Sequence, residues 1–346
     1  MSLVPMRQIL DEAAKGGYGV GAFNVNNMEQ IQAIMQAAND TNSPVIIQAS
    51  RGALKYSKMI YLKKLMEAAA EEYPHIPVAL HLDHGYSVET CLEAIALGFT
   101  SVMIDGSLKE DGKTKNTYEE NLEITMKVVE LARPLGITVE AELGCLGGIE
   151  DGQGAGLSGK ELEKFLTDPK EAEKFVKETN VDALAVAIGT SHGAYKSTIK
   201  DPKTGEVLPP KLAMERIIEI HKRMPNCHMV MHGSSSVPQE LVDIINKYGG
   251  KMEDTKGIPI EQIQEGIKHG VRKINVDTDS RLAMTGAIRK VLWETPEKFD
   301  PRDYLKPARE AAYQVYVERM KAFGQAGHAG DYKPTTLENM KAYYKK

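Results

Sequence analysis

The chain has 346 residues, 42% of them hydrophobic and 26% charged, with a formal net charge of −5. That composition is ordinary for a soluble globular enzyme with a large core, and the negative balance gives no electrostatic reason to expect a nucleic-acid partner. Three cysteines without metal-type spacing argue against a disulfide framework and for a reducing, cytoplasmic setting. The N-terminus shows no long apolar segment of a secretory signal, and no run reaches the roughly 18 apolar residues of a membrane span, so no membrane partner is expected.

Eight short apolar runs read as buried strands: 19–25, 44–50, 77–83, 101–105, 138–143, 183–188, 228–232 and 271–276. Helical stretches alternate with them, at 27–39, 61–72, 88–97, 117–132, 160–178, 211–223, 238–247, 261–269 and 280–293. Ser87, Ser158 and Ser236 stand where N-caps are expected. Strand–helix alternation implies parallel strands joined by right-handed crossovers. Eight such units predict an α/β protein with a (β/α)8 TIM barrel, residues 1–346 forming one domain. Polar residues end nearly every run, which favours a barrel over a doubly wound open sheet with one switch point. The polar stretches 145–159, 193–210 and 248–257 are long enough to be lids. Residues 300–346 read as a helical extension that covers the barrel or makes a subunit contact.

Three runs deliver a histidine beside glycine: His84 before Gly85, His192 before Gly193, His232 before Gly233. Imidazoles arriving from the third, sixth and seventh strands make a three-nitrogen site with an open position, the pattern of catalytic zinc. Asp83, Asp105, Glu140 and Glu142 also lie in or end apolar strands. Carboxylates there are costly unless paired or bound to a cation, so they hold a metal or orient the histidines. Glu150, in a glycine-rich loop, has the reach of a mobile base. The segments 233–236 and 275–280 follow the last two strands and are expected to open helices, where backbone N–H groups cradle an anion. Arg51, Arg281 and Arg302 are candidates for a second phosphate.

The motifs His81-Leu-Asp-His-Gly85, Val139-Glu-Ala-Glu-Leu-Gly144, Gly189-Thr-Ser-His-Gly193, His232-Gly-Ser-Ser-Ser236 and Asn275-Val-Asp-Thr-Asp279 occur in order along nearly the whole chain. Together they resemble the class II, metal-dependent fructose-1,6-bisphosphate aldolases. The loop after His192 and Phe299-Asp-Pro-Arg302 are similar to the Calvin-cycle-like subgroup. The resemblance implies reversible cleavage of fructose 1,6-bisphosphate to dihydroxyacetone phosphate and glyceraldehyde 3-phosphate. It implies a Zn2+ on His84, His192 and His232, with Asp105 and Glu142 offering a second divalent position. Asp83 becomes the proton donor and acceptor at the C4 hydroxyl, and Glu150 the base acting on dihydroxyacetone phosphate. Asn275 joins them as catalytic. Gly193, Gly233, Ser234, Ser235, Asn275, Val276, Asp277 and Thr278 would hold that half, with a monovalent cation (Na+ or K+) nearby. Ser50 and Arg281 would address the other half, and Arg302 a neighbouring subunit's site, implying a homodimer or homotetramer. Some family members take the second histidine from further along such a loop, but this chain has no other histidine between His192 and His221.

Three alternatives follow from the same residues. The substrate could be tagatose 1,6-bisphosphate or sedoheptulose 1,7-bisphosphate. Lys273, sharing a strand face with Asn275, could form a Schiff base. The barrel could instead be a non-catalytic scaffold.

Overall fold

The computed structural model describes residues 3–109, 114–144, 147–148, 165–195, 197, 199–331 and 333–345. Eight parallel strands close into a barrel: β1 (Val20–Asn24), β2 (Val45–Ser50), β3 (Val78–Gly85), β4 (Ser101–Ile104), β5 (Thr138–Leu143), β6 (Ala183–Val186), β7 (His228–Met231) and β8 (Val271–Val276). β8 pairs back onto β1, Val20 opposite Lys273. Helices cover the outside, so most strand residues are buried on both faces and the strands read as continuous apolar runs. The larger core lies between strands and helices, with Phe23, Leu80, Val102, Val139, Leu184 and Ile274.

A second core fills the lower barrel. Val20, Ala22, Ile46, Ala79, Met103, Ala183, Ala185 and Val230 point inward and meet Met6, Ile9, Leu10 and Ala13. Those last four come from the helix Met6–Gly16, whose apolar residues recur at helical spacing and plug the N-terminal mouth. The plugged end leaves the C-terminal mouth for chemistry.

Two helix expectations need correction. The expected helix 160–178 is not continuous. Residues 165–168 form a turn, and the helix Pro169–Thr179 starts after Asp168, whose carboxylate accepts from the N–H groups of Lys170 and Glu171. Ser158 lies outside the described residues. Ser236 is not a cap either, because the next helix, Gln239–Lys247, starts after Pro238. Ser87 does cap its helix, accepting from Thr90 N.

The helix Pro301–Ala322 packs against Met28–Asp40 and Thr278–Glu294. Gln325 then accepts from Gly21 N and donates to Pro44 O, tying the extension to β1 and to the residue before β2. The last helix, Leu337–Tyr344, ends below the barrel, where the Tyr344 hydroxyl donates to Asp182.

Candidate active site

Strand alternation would send neighbours Asp83 and His84 to opposite faces. They instead share the mouth, because His84 has a left-handed backbone (φ 52°) and the β3–β4 register shifts between Leu82 and Gly85. A non-glycine residue in that region carries strain of order 1–3 kcal/mol, held here by what the imidazole binds. His84 Nδ1 lies 3.1 Å from Asp105 Oδ2, at the end of β4. His232, just after β7, is followed by Gly233 at φ 60°, where a Cβ would stand 2.5 Å from Ser191 O. That close approach brings the Ser191–His192 segment against the β7 loop. His192 pairs with Gly148 in a two-residue ladder rather than ending β6, which stops at Val186.

The three rings gather with centroids 5.0 Å (His84–His192), 4.8 Å (His84–His232) and 5.8 Å (His192–His232) apart. His232 Nε2 lies 2.9 Å from Glu140 Oε1. A carboxylate only accepts, so the ring nitrogens facing Asp105 and Glu140 carry hydrogens. The remaining nitrogens, His84 Nε2 and His232 Nδ1, then face each other at 3.0 Å. Two lone pairs at that distance call for a cation between them, a proton or a metal. The separation is close to the roughly 3.3 Å ligand edge expected for tetrahedral Zn–N bonds of about 2.0–2.1 Å. Carboxylate-bound outer nitrogens are the usual support for histidine ligands. The three histidines therefore fit a divalent ion, and ligand atoms of His84, Asp105 and Glu142 form a second group within 4.8 Å of one another.

The charges agree. Burial pushes His84 down, but Asp83, Asp105 and Glu142 outweigh it and hold the imidazole well above its ordinary value. Burial and the neighbouring His84 and Lys273 hold His232 well below. One positive charge is thus drawn to the spot where the two rings meet.

Asp83 is fixed beside this centre. Its carboxylate accepts from the Asn24 amide at 2.8 Å and the Asn275 amide at 3.3 Å, and Gln48 donates to Asn24 at 2.7 Å. Burial raises its pKa, yet His84, His232, Lys273 and the Asn24 bond bring it down to about 2. Asn275 Oδ1 is buried without a hydrogen-bond partner among the described residues, an acceptor left for a ligand.

Above these groups opens a cavity of about 130 Å³ lined by Asn24, Asp83, His84, His192, Gly193, Gly233, Ser235, Asn275, Asp277, Thr278 and Arg281. The expected phosphate loops both reach it. Thr278 opens the helix Thr278–Glu294, as expected. The 233–236 loop does not open a helix. It is shaped by Asp279, which accepts from Ser236 N and Val237 N and pairs with Arg319. Asp277 N donates to Ser235 Oγ, joining the two loops.

Several expected residues stand elsewhere. The Ser234 hydroxyl turns back to Met231 O, and Val276 faces the outer core, so only their backbone could meet a ligand. Ser50 lines a neighbouring cavity of about 540 Å³ with Arg51, Gly52, Lys55, His84 and Tyr86. Its hydroxyl accepts from Ala53 N, and Arg51 lies over the Tyr86 ring. Arg281 lines the first cavity, paired with Asp277. Arg302 is 89% exposed, pairs with Asp300 and lines neither cavity. Glu150 lies outside the described residues. Lys273 is fully buried, ion-paired to Glu140 and absent from both cavity walls, which counts against the Schiff-base alternative. Asn24 and Gln48 lie outside the motifs read from the sequence, and His81 only heads one of them. Their signal was a polar side chain at an inward position of an otherwise apolar strand.

Residues 4–328 match the sequence model of the family described as fructose-bisphosphate aldolase class-II. The whole chain is 55% identical to the class 2 fructose-bisphosphate aldolase of a Synechocystis species, covering 96% of it. It is 56% identical to the fructose-bisphosphate aldolase of Giardia intestinalis, over all of both chains. Among solved structures, the YdjI aldolase of Escherichia coli K12 is similar at a TM-score of 0.71 and 28% identity, over 94% of this chain and 99% of that one.

Proposed function

Since the chain belongs to the class II fructose-bisphosphate aldolase family and is a lyase that cleaves fructose 1,6-bisphosphate, we propose that the histidine-lined mouth is where it does so. The family implies a divalent metal. The reading assigns Zn2+ to His84, His192 and His232, and a second divalent position to His84, Asp105 and Glu142. The observation that carries it is the 3.0 Å approach of His84 Nε2 to His232 Nδ1, each ring having a carboxylate at its other nitrogen. When bound, the ion acts as a Lewis acid toward the ketone oxygen and the negative charge that develops on cleavage.

The chain's own residues do the rest. Asp83, ionised and locked by two amides, takes the C4 hydroxyl proton on cleavage and returns it on condensation. Asn275, whose Nδ2 holds Asp83, turns a free Oδ1 to a substrate hydroxyl. Gly193, Gly233 to Ser235 and Asn275 to Thr278 hold the dihydroxyacetone half, with a monovalent cation beside its phosphate; Asp277 N, bonded to Ser235 Oγ, is not among the N–H groups that meet the anion. Ser50 and Arg281 address the glyceraldehyde 3-phosphate half, and Glu150 exchanges the proton of the dihydroxyacetone phosphate carbon.

The reading extends to assembly and setting. Residues 1–346 act as one catalytic unit with the extension from about 300. Arg302, exposed and absent from the walls of both cavities, serves a neighbouring subunit in a homodimer or homotetramer. Cys91 and Cys227 are free, in keeping with a cytoplasmic enzyme, and no helix among the described residues is long and apolar enough to cross a membrane. Cyanobacterial relatives suit a Calvin-cycle role beside glycolysis and gluconeogenesis. The test is turnover of fructose 1,6-bisphosphate, tagatose 1,6-bisphosphate and sedoheptulose 1,7-bisphosphate side by side, with metal content measured on the same sample. The reading expects fructose 1,6-bisphosphate to be preferred and zinc to be present. Preference for the C4 epimer would move the substrate assignment, and full activity without metal would overturn the site assignment.

A further inference from the structure

One charged side chain in the barrel has been given no contact with substrate or metal. Lys273 sits mid-strand in β8, fully buried. Its Nζ lies 2.9 Å from Glu140 Oε2 and 3.2 Å from Glu140 Oε1. Glu140, fully buried on β5, bonds His232 Nε2 through that same Oε1 at 2.9 Å. His81 completes the cluster, with Nε2 3.4 Å from Glu140 Oε2 and Nδ1 2.8 Å from Ser101 Oγ. The lysine lines neither cavity, so it does not reach a substrate there.

Stability does not explain the pair. Barrel interiors are commonly filled by Val, Ile and Leu, and apolar replacement of a buried ion pair is often neutral or stabilising. What the pair supplies is an anchored anion. An ammonium within reach of both oxygens fixes the carboxylate plane. The fixed carboxylate sets the His232 ring and keeps the hydrogen on Nε2. Nδ1, the nitrogen facing His84, is then left as the lone-pair donor.

We propose that Lys273 is a positioning residue of the metal centre, acting through Glu140 on His232. The inference rests on the assignment of His84, His192 and His232 as the ion's ligands. It makes Lys273 a fixed charge linked to the ion through two intervening residues, Glu140 and His232, with no covalent step of its own.

The test measures Zn2+ dissociation constants by competition with a chromophoric chelator, on wild type, Lys273→Met, Glu140→Gln, the double variant and His84→Ala. Lys273→Met is expected to weaken Zn2+ binding by roughly 10–100-fold, the usual cost of losing an outer-shell partner. Its KM for fructose 1,6-bisphosphate at saturating Zn2+ stays at the wild-type value. Glu140→Gln also binds Zn2+ more weakly than wild type. Adding Lys273→Met to it changes nothing further, because the lysine has lost the group it acts through. If Lys273→Met alone leaves Glu140 too poorly paired to fold, Glu140→Gln against the double variant decides the matter. Wild-type affinity in Lys273→Met, or a further loss from Glu140→Gln to the double variant, overturns the inference alone. Zn2+ binding that survives His84→Ala unchanged overturns the metal assignment and this inference with it.

Discussion

The two ends of the barrel use the same chemistry to opposite effect. At the N-terminal end, His228 Nε2 bonds Asp11 at 2.7 Å, Arg7 bonds Asp11 at 2.9 Å and Asp182 at 3.1 Å, and Tyr344 donates to Asp182. Every one of these polar groups faces a partner, and the helix Met6–Gly16 closes the mouth. At the C-terminal end, His84 and His232 also bind carboxylates, but their remaining nitrogens converge on each other and on a cavity. A closed network stabilises a fold. A network satisfied on its outer side and open on its inner side is built to receive something. Histidine–carboxylate pairs occur at both ends; what marks the open end is that the second ring nitrogens of His84 and His232 meet beside a cavity.

That contrast yields changes of graded size. The largest are expected at the open end. His84→Ala or His232→Ala should remove bound Zn2+ and reduce cleavage by about a thousandfold or more, the scale of losing electrostatic transition-state stabilisation, with the circular dichroism spectrum retained. Asp83→Asn keeps the metal but loses the proton acceptor, so kcat should fall by about 10²–10⁴-fold. Zinc content measured beside kcat separates these two classes. An Asp83→Asn enzyme with normal kcat would remove Asp83 from its proposed role.

Changes at the closed end should act on stability alone. Arg7→Met leaves the buried Asp182 without its guanidinium and should cost about 3–5 kcal/mol in denaturant unfolding, with kcat/KM unchanged in the folded fraction. Asp11→Asn is milder, about 1.5–3 kcal/mol at pH 7, and carries a pH signature. Burial raises the Asp11 carboxyl, but His228 and Arg7 outweigh it and hold the pKa below its ordinary value. Such a group stabilises fully above its unfolded value of about 3.9, and its contribution is lost as pH falls through the lowered folded value. The gap between wild type and Asp11→Asn should therefore close only in acid, below about pH 4. A gap that closed on the alkaline side would reverse the sign of the argument. Smallest is Asp168→Ala, which removes one helix cap and should cost about 1 kcal/mol without touching activity.

Much of this was legible in the sequence, for physical reasons. The runs 138–143 and 271–276 are strands with the same bounds as read, because a parallel strand buried on both faces is apolar throughout. The three histidines and Asp83 were visible because polar residues ending such runs stand out. What stayed hidden needed the third dimension. His84 joins Asp83 in the mouth only through its left-handed backbone, which period-two alternation contradicts. Glu140 reads as an acid within an apolar strand, but its partners Lys273, His81 and His232 come from β8, β3 and the end of β7, and nothing local ties them together. Asp279 belonged to an expected anion loop and shapes the neighbouring one instead. The plug helix Met6–Gly16 carries an apolar stripe, Met6, Ile9, Leu10 and Ala13, but no side-chain cap marks its start.

The central claim is that the ring nitrogens that His84, His192 and His232 bring together at the mouth hold a divalent ion on which cleavage depends. The most direct measurement strips the protein exhaustively with chelator, removes the chelator, and follows fructose 1,6-bisphosphate cleavage as Zn2+ is titrated back. The account predicts loss of turnover on stripping and recovery that saturates at the stoichiometry of the histidine site. Undiminished turnover in protein shown to be free of metal would contradict it.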